Sequence, residues 1–418
     1  MGVITTYKKD LFLFFLVIFS TLHTLRNLTS LYLFLLFSLF FINYLVVFSK
    51  IKFFLFFKPI EFKFYLFLIL TFLVGISSPL HSFEFETLIQ FPRLFLMPFL
   101  TYLIVQSNIT FVWFLNFMKW FIFLIVLGSF SLLYQVLTGQ PIYWFNVGES
   151  SRGGLSRFGT ILGSLTIYGT IVGNAILILF DDYFKKSNFK IFLIFILIIG
   201  AILSLQKAAI LNIFLAFSFL IVYRISFFNF IKWTFIVLFF LLTFYLFVIF
   251  NQNTLFSNYL TTIVFQVTGL DVLTLQNITI DNSGALSENS IFDRLYGYAF
   301  NEMFQVYNPI KSFFLGNGIV GAGGAMGLDG PQSHNSFWDL FFMGGVFFLV
   351  SFISLFFEVQ FQLYKYLHQT FAKSFFLSNW LFLINSFFSS ISMFHPILSF
   401  PFWLSIIYVI LLKNIKND

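Results

Sequence analysis

No cysteine occurs anywhere in the chain. Its absence excludes disulfides, thiolate nucleophiles and cysteine-ligated zinc or iron–sulfur centres. Charge is scarce as well. Only 9% of the 418 residues are charged, against about 25% in an ordinary soluble domain. A chain that is 59% hydrophobic has too little polar surface to cover itself in water, so lipid must be its solvent. Other chemistry is missing by pattern. No Lys-Ser/Thr follows the glycine run that starts at Gly316, which rules out a P-loop, and no strand-and-helix frame supports a dinucleotide fingerprint. There is no Asp-x-Asp of the kind many metal-dependent glycosyltransferases use to hold a nucleotide-sugar. The histidines His23, His81, His334, His368 and His395 show no metal-ligand spacing. No metal and no cofactor is expected.

What the chain has is long apolar runs. A spanning helix needs about 20 mostly apolar residues. Such runs fall at 11–24, 30–49, 62–79, 94–106, 118–138, 160–180, 190–205, 207–223, 231–250, 336–357, 374–393 and 397–412. The expected fold is all-α: a polytopic transmembrane bundle of about 12 spans. Residues 1–250 carry the N-terminal helices, with an outer loop around 139–159. Residues 251–335 form one large extracytoplasmic loop, and 336–418 carry the C-terminal helices. Lys8-Lys9-Asp10 before the apolar run Leu11–Phe19 looks like the start of a signal peptide. No small-residue cleavage site follows, so it reads as an uncleaved first span.

The formal charge is +7 and the pI is near 9.3. The basic residues sit mostly in short connections, so they read as topology signals and not as a nucleic-acid surface. With both termini cytoplasmic, 16 of the 23 Lys and Arg fall inside. The remaining 7 are Arg26, Arg93, Arg152, Arg157, Lys207, Arg294 and Lys311, and five of them are arginine. A guanidinium fork grips phosphate through two hydrogen bonds, so an anionic ligand outside is one reading. Pairing with outer acids such as Glu149 or Asp293 is the other. The long connection from Asn251 to Ser333 should hold structure of its own. Ser290-x-x-Asp293 resembles a capping box, and Ile291, Leu295, Tyr298 and Ala299 follow at helical spacing. An amphipathic helix is expected over 290–306, stopped by Asn308-Pro309.

Several residues are candidates for chemistry. The segment Gly316–Gly345 reads GNGIVGAGGAMGLDGPQSHNSFWDLFFMGG. Its glycines, Gly316 and Gly318 first, make either a flexible loop or a set of exposed amides that hold a phosphate. His334 lies just before a span. An imidazole suits general-base work on a sugar hydroxyl, while a lone histidine at a membrane boundary is more often a polar anchor. Asn335 and Ser336 either bind sugar or cap the helix. Arg152 and Arg157 lie in the loop ESSRGGLSRFG at the mouth of a span. Lys207 sits in SLQKAAIL between two apolar runs; it reads equally as a site residue or as part of a plain hairpin turn. Asp181-Asp182 reads as a solvated turn, and Glu61, Lys63, Glu358 and Lys365 as interfacial charges.

In these motifs the chain resembles the O-antigen polymerase and O-antigen ligase superfamily of bacterial envelopes. Arg157-Phe158-Gly159 opens the Gly-rich run TILGSLTIYG. SLQKAAIL stands where the family usually has Ser-Arg-Gly/Ala. Arg294 precedes LGNGIVGAG, and SHNSFWDLFFMGG is close to the family's His-Asn motif followed by Gly-Gly. The match covers about residues 150–350. Lys207 departs from the family's arginine: it keeps the charge and loses the fork. The resemblance implies a metal-independent membrane glycosyltransferase in the bacterial inner membrane, using a glycan linked to undecaprenyl diphosphate at the outer face. It implies that Arg157, Lys207 and Arg294 hold the diphosphate and that His334 takes the acceptor proton. Arg152, Asn335, Ser336, Gly316 and Gly318 are further substrate-binding candidates. The implied partners are the lipid-linked glycan as donor and acceptor, membrane lipid and a chain-length regulator protein, with no nucleic acid. Surface polysaccharide (O-antigen or capsule) polymerase is the favoured reading, because polymerases are the more numerous and divergent group. A ligase to a lipid core is the alternative. A transporter without bond chemistry is a third, disfavoured by the lack of internal repeats.

The charge split generates a test. In single-cysteine variants at Asn282 and Asn417, residue 282 should react with an impermeant thiol reagent from outside and residue 417 only after the membrane is opened. Labelling of residue 282 from the cytoplasm alone would overturn the topology.

Overall fold

The computed structural model describes residues 38, 59–81, 94, 96–102, 104–105, 110–142, 150–152, 155–163, 165–184, 189–204, 206–224, 309–326, 333, 335–387, 393–394 and 398–415. The expected runs 11–24 and 231–250, nearly all of 30–49, and the helix expected over 290–306 lie outside them. In chain order the helices are α1 (Pro59–His81), α2 (Phe111–Thr138), α3 (Leu165–Leu179), α4 (Phe189–Leu203), α5 (Lys207–Arg224), α6 (Pro309–Leu315), α7 (Ser336–Lys365), α8 (Ala372–Ser386) and α9 (Phe400–Ile415). Residues 38, 94, 96–102 and 104–105 are α-helical as well; the remaining described residues are short 3₁₀ pieces or irregular, apart from a small hairpin of β1 (Ser150–Arg152) and β2 (Leu155–Arg157).

Within α1, α2 and α7 lie three stretches long and apolar enough to cross a membrane, Pro59–Ser78, Phe111–Thr138 and Ser336–Lys365. Their burial pattern is the one lipid demands. On α2, Trp120, Phe123, Leu127, Phe130, Tyr134 and Leu137 are all exposed, and they recur every three or four residues, as one face of a helix. In water such a stripe would be an adhesive patch; hydrocarbon covers it without cost. Meanwhile Thr71, Ser78, Asn174, Asn212, Asp339 and Ser351 are buried. The chain is a membrane protein.

The boundaries differ from the hydropathy reading where single side chains intervene. Helix α2 begins at Phe111 and not at 118; Lys119 lies within it, exposed, because a lysine stem can carry its charge along a helix toward water. The run expected from residue 160 opens with a tight turn, in which Thr160 and Gly163 exchange two backbone hydrogen bonds of 2.9 Å. Helix α3 therefore starts at Leu165.

The chain divides into two compact units, and the division falls inside α2, between Lys119 and Trp120. One unit comprises Met1–Ser20, Ser30–Lys119 and Ala285–Asp418; the other comprises Thr21–Thr29 and Trp120–Gly284. In the first unit α7 packs against α1, α6 and α8. Phe67 of α1 stacks on Phe348 of α7, with ring centres 5.2 Å apart. Helix α7 is broken at Gly345, whose φ is 69°. A side chain there would strike the Phe314 carbonyl, and one at Gly316, also at positive φ, would strike the backbone of Met343 and Gly344. Two backbones thus lie directly against one another. Asn317 fixes the contact, donating to the Phe342 carbonyl from its backbone N–H at 2.7 Å and from Nδ2 at 3.1 Å. After it, Gly318–Met326 forms a 3₁₀ element against α1 and α7, with Ile319 and Ala322 fully buried. The Ile319 amide donates to Ser78 Oγ at 2.7 Å. Small size for close packing accounts for these glycines, and the amides of Asn317 and Ile319 are already engaged.

This packing can be tested against a glycine that shares only the backbone angle. Gly139 has φ +68°, and a methyl added there would meet nothing within 4 Å. Gly139→Ala should cost about 1 kcal/mol, the left-handed penalty alone. Gly316→Ala should add about 1–3 kcal/mol of overpacking, read as a larger fall in the thermal midpoint of the purified protein. Equal falls would overturn the close-contact account.

Candidate functional site

In the second unit, the loop that carries Arg152 and Arg157 is tied down at both ends. Gln135, near the end of α2, is 1% exposed. Its Oε1 accepts from the Ile142 amide at 2.8 Å. Its Nε2 donates to the Gly159 carbonyl at 2.9 Å and to the Ser131 carbonyl at 3.1 Å. Between these ends, Ser150 pairs with Arg157, and Arg152 with Leu155. In an antiparallel ribbon that register puts positions 152 and 157 on one face. Phe158 and Thr160 then enter the core.

Helix α3 follows directly and packs against α5. A methyl added at Gly169, in the second turn of α3, would stand 3.1 Å from the backbone nitrogen of Ala209, in the first turn of α5. The starts of the two helices are therefore neighbours, as small residues allow. Lys207 is the first residue of α5. The break before it is a built turn: Ser204 Oγ donates to the Ala201 carbonyl at 2.6 Å and accepts from the Gln206 amide at 3.3 Å. Arg157, six residues before the turn ends at Gly163, and Lys207 thus belong to chain segments that converge on one end of the α3–α5 pair. Neither first turn contains an acidic residue, so nothing in those turns offsets the positive ends of the helices.

In the first unit, the start of α7 is a buried polar knot. Ser333, Asn335, Ser336 and Asp339 are each 3% exposed or less. Asn335 caps the helix, its Oδ1 accepting from the Phe337 amide at 2.9 Å. Of the two roles open to Asn335, capping is thus observed. The Ser333 hydroxyl lies 2.5 Å from Asp339 Oδ1 and 2.8 Å from the Asn335 carbonyl, while the Asn335 amide donates back to Ser333 Oγ at 3.1 Å. A 2.5 Å contact is at the short limit for a hydroxyl on a carboxylate. His334 and Arg294 lie outside the described residues. Gly316 and Gly318 pack in this unit as described above.

Asp339 and Gln135 are polar residues that motif reading passes over. The available signal was simple: an ionisable or amide side chain inside an apolar run is expensive and needs a reason. The charges read as interfacial are partly paired. Lys63 Nζ meets Glu358 Oε2 at 3.0 Å, and Gln362 Nε2 donates to Glu358 Oε1 at 2.7 Å, linking α1 to α7. Among the described residues, no group of three or more His, Asp or Glu gathers as a metal site would require.

The chain matches no protein-family model, no curated protein and no solved structure.

The Ser333–Asp339 contact predicts a measurable coupling. Ser333→Ala leaves a buried carboxylate one donor short, which should destabilise the protein by about 1–3 kcal/mol. In an Asp339→Asn background the same change should cost clearly less. A double-mutant cycle on thermal stability checks this, and additivity would show that the contact contributes nothing.

Proposed function

We propose that the chain is a surface-polysaccharide polymerase of the bacterial inner membrane, with about 12 spans and residues 251–335 outside. It would join repeat units carried on undecaprenyl diphosphate. The observation that carries this reading is the convergence, in one unit, of the Arg152/Arg157 hairpin and the Lys207 helix start on the same end of α3 and α5. Two separate stretches of chain that carry basic positions lead into the starts of α3 and α5, in a protein in which only 9% of residues are charged. A diphosphate is the ligand that such a cluster suits. The order of motifs in the sequence supplies the rest, adding Arg294 and His334.

In this reaction the acceptor sugar hydroxyl attacks the anomeric carbon of the donor glycan. The new glycosidic C–O bond forms as the bond to the diphosphate oxygen breaks, and undecaprenyl diphosphate leaves with the electron pair. Arg157, Lys207 and Arg294 stabilise the charge that develops there. His334 takes the hydroxyl proton. The division of labour is physically economical: the leaving group brings its own activation and needs only cations, whereas the hydroxyl is a weak nucleophile and needs a base. A lipid donor also explains a site among membrane helices.

The test is a purified-protein assay with lipid-linked repeat units. His334→Gln keeps a hydrogen-bond donor and cannot take up a proton, so it should lower the rate by roughly a hundredfold to ten-thousandfold while insertion and folding persist. The wild-type rate should fall as acid protonates the imidazole. Arg157→Lys should cost most of the activity, and Lys207→Arg should be tolerated. Normal chain length with His334→Gln would leave His334 an anchor; full activity in Arg157→Ala and Lys207→Ala would move the diphosphate site elsewhere.

A further inference from the structure

Gln135 does something more specific than fill space. It sits in the last turn of an apolar 28-residue helix, where a primary amide is costly to bury unless every polar atom is used. All of them are: one acceptor bond from Ile142 and two donor bonds, to Gly159 and Ser131. The amide orientation is unambiguous, because an N–H must meet a carbonyl oxygen and the two carbonyls must meet N–H groups. Ser131 lies in the same helix, so that bond fixes the rotamer. The other two reach residues 7 and 24 positions along the chain, one on each side of the hairpin. One side chain thereby closes the loop from 142 to 159 at its base, and the arginines at 152 and 157 ride on what it closes.

We propose that Gln135 is a positioning residue that holds the Arg152–Arg157 hairpin in the shape that receives the diphosphate of a lipid-linked substrate. This rests on the polymerase reading for the identity of the ligand. The physical reasoning is preorganisation: cations fixed in place before binding spend no ordering entropy when the anion arrives, whereas cations on a loose loop do. Gln135 touches neither substrate nor reacting atoms. Its removal should therefore weaken diphosphate binding through the loop.

The experiment uses the full-length protein in detergent micelles, with farnesyl diphosphate as the probe. Three quantities are read: amide hydrogen exchange over residues 142–160, affinity for the probe, and polymer formation from lipid-linked repeat units. Gln135→Leu keeps the bulk and removes all three bonds. It should speed exchange in the loop by about tenfold or more and weaken probe binding by about tenfold, with exchange in α3 unchanged. Gln135→Glu covers the case in which the leucine variant does not fold. It keeps the acceptor for Ile142 and, when ionised, loses both donor bonds, so faster exchange should be confined to the Gly159 side, with binding several-fold weaker. Unchanged loop exchange, or a loosened loop that binds the probe as wild type does, overturns the positioning role. The polymerase reading fails on a different result, a wild-type protein that makes no polymer. In that event exchange and probe binding still decide the role of Gln135.

Discussion

A backbone N–H or C=O that leaves its helix inside hydrocarbon has no water to turn to. Breaks in the helices of this protein therefore need partners close at hand, and several of the described ones are closed by a specific side chain. Where α7 kinks at Gly345, the Phe342 carbonyl is taken up by Asn317. Where the 3₁₀ element runs against α1, the Ile319 amide finds Ser78. Between α4 and α5 the turn is held by Ser204. Beyond α2, Gln135 serves an amide and a carbonyl at once. Ser78, Ser204 and Gln135 are all buried where they do this. Positions 152 and 157 lie between the two backbone groups that Gln135 secures, and Lys207 opens the helix after the Ser204 turn.

Packing between the helices has to work without the usual hydrophobic drive, since lipid is as apolar as phenylalanine. Shape and direction take over. Phe67 stacks nearly parallel on Phe348, at an interplanar angle of 7°, and Gly169 lets α5 approach α3 closely. Polar contacts then fix register. Asn379 Nδ2 donates to Ser405 Oγ at 3.0 Å across α8 and α9, and the indole of Trp403 donates to the Met393 carbonyl at 3.1 Å. The Lys63–Glu358 pair joins α1 to α7 across 295 positions of sequence. A half-exposed pair of this kind adds little net stability but disfavours any arrangement that separates it.

Hydropathy made the helices legible, because 20 apolar residues in a row have few other uses. It missed the start of α3, where Thr160–Gly163 turns before the helix begins, since a turn of apolar residues looks like helix to a composition count. The glycine run was visible as a run, but its meaning was not. Loop and phosphate cradle both fit the residues from 316 onward; close packing at Gly316 and Gly318 involves partners such as Ser78, 241 positions away in sequence from Ile319. Asn335 was open between sugar binding and capping, and local geometry shows the cap. Gln135 and Asp339 were legible in principle as polar residues in apolar runs. Their partners lie in loops whose course no periodicity describes.

Lys207 shows how a local cost bears on the proposed site. The first position of a helix faces the positive end of the backbone dipole, so a cation there is unfavourable by about 0.3–1 kcal/mol, and an anion is favoured by a similar amount. Lysine at the start of α5 is thus placed against the field of its own helix, next to α3, whose positive end also carries no acid in its first turn. A structural turn would do better with serine or aspartate at this point. In the proposed diphosphate site it would not: there a lysine at this position and both helix starts would attract the same ligand, and the local penalty would be offset on binding. Lysine supplies that attraction as a point charge without the directional fork of arginine. On this reading, geometric selection of the diphosphate falls to the arginines, and the rigidity of the hairpin that bears two of them matters more in this protein than it would with arginine at position 207.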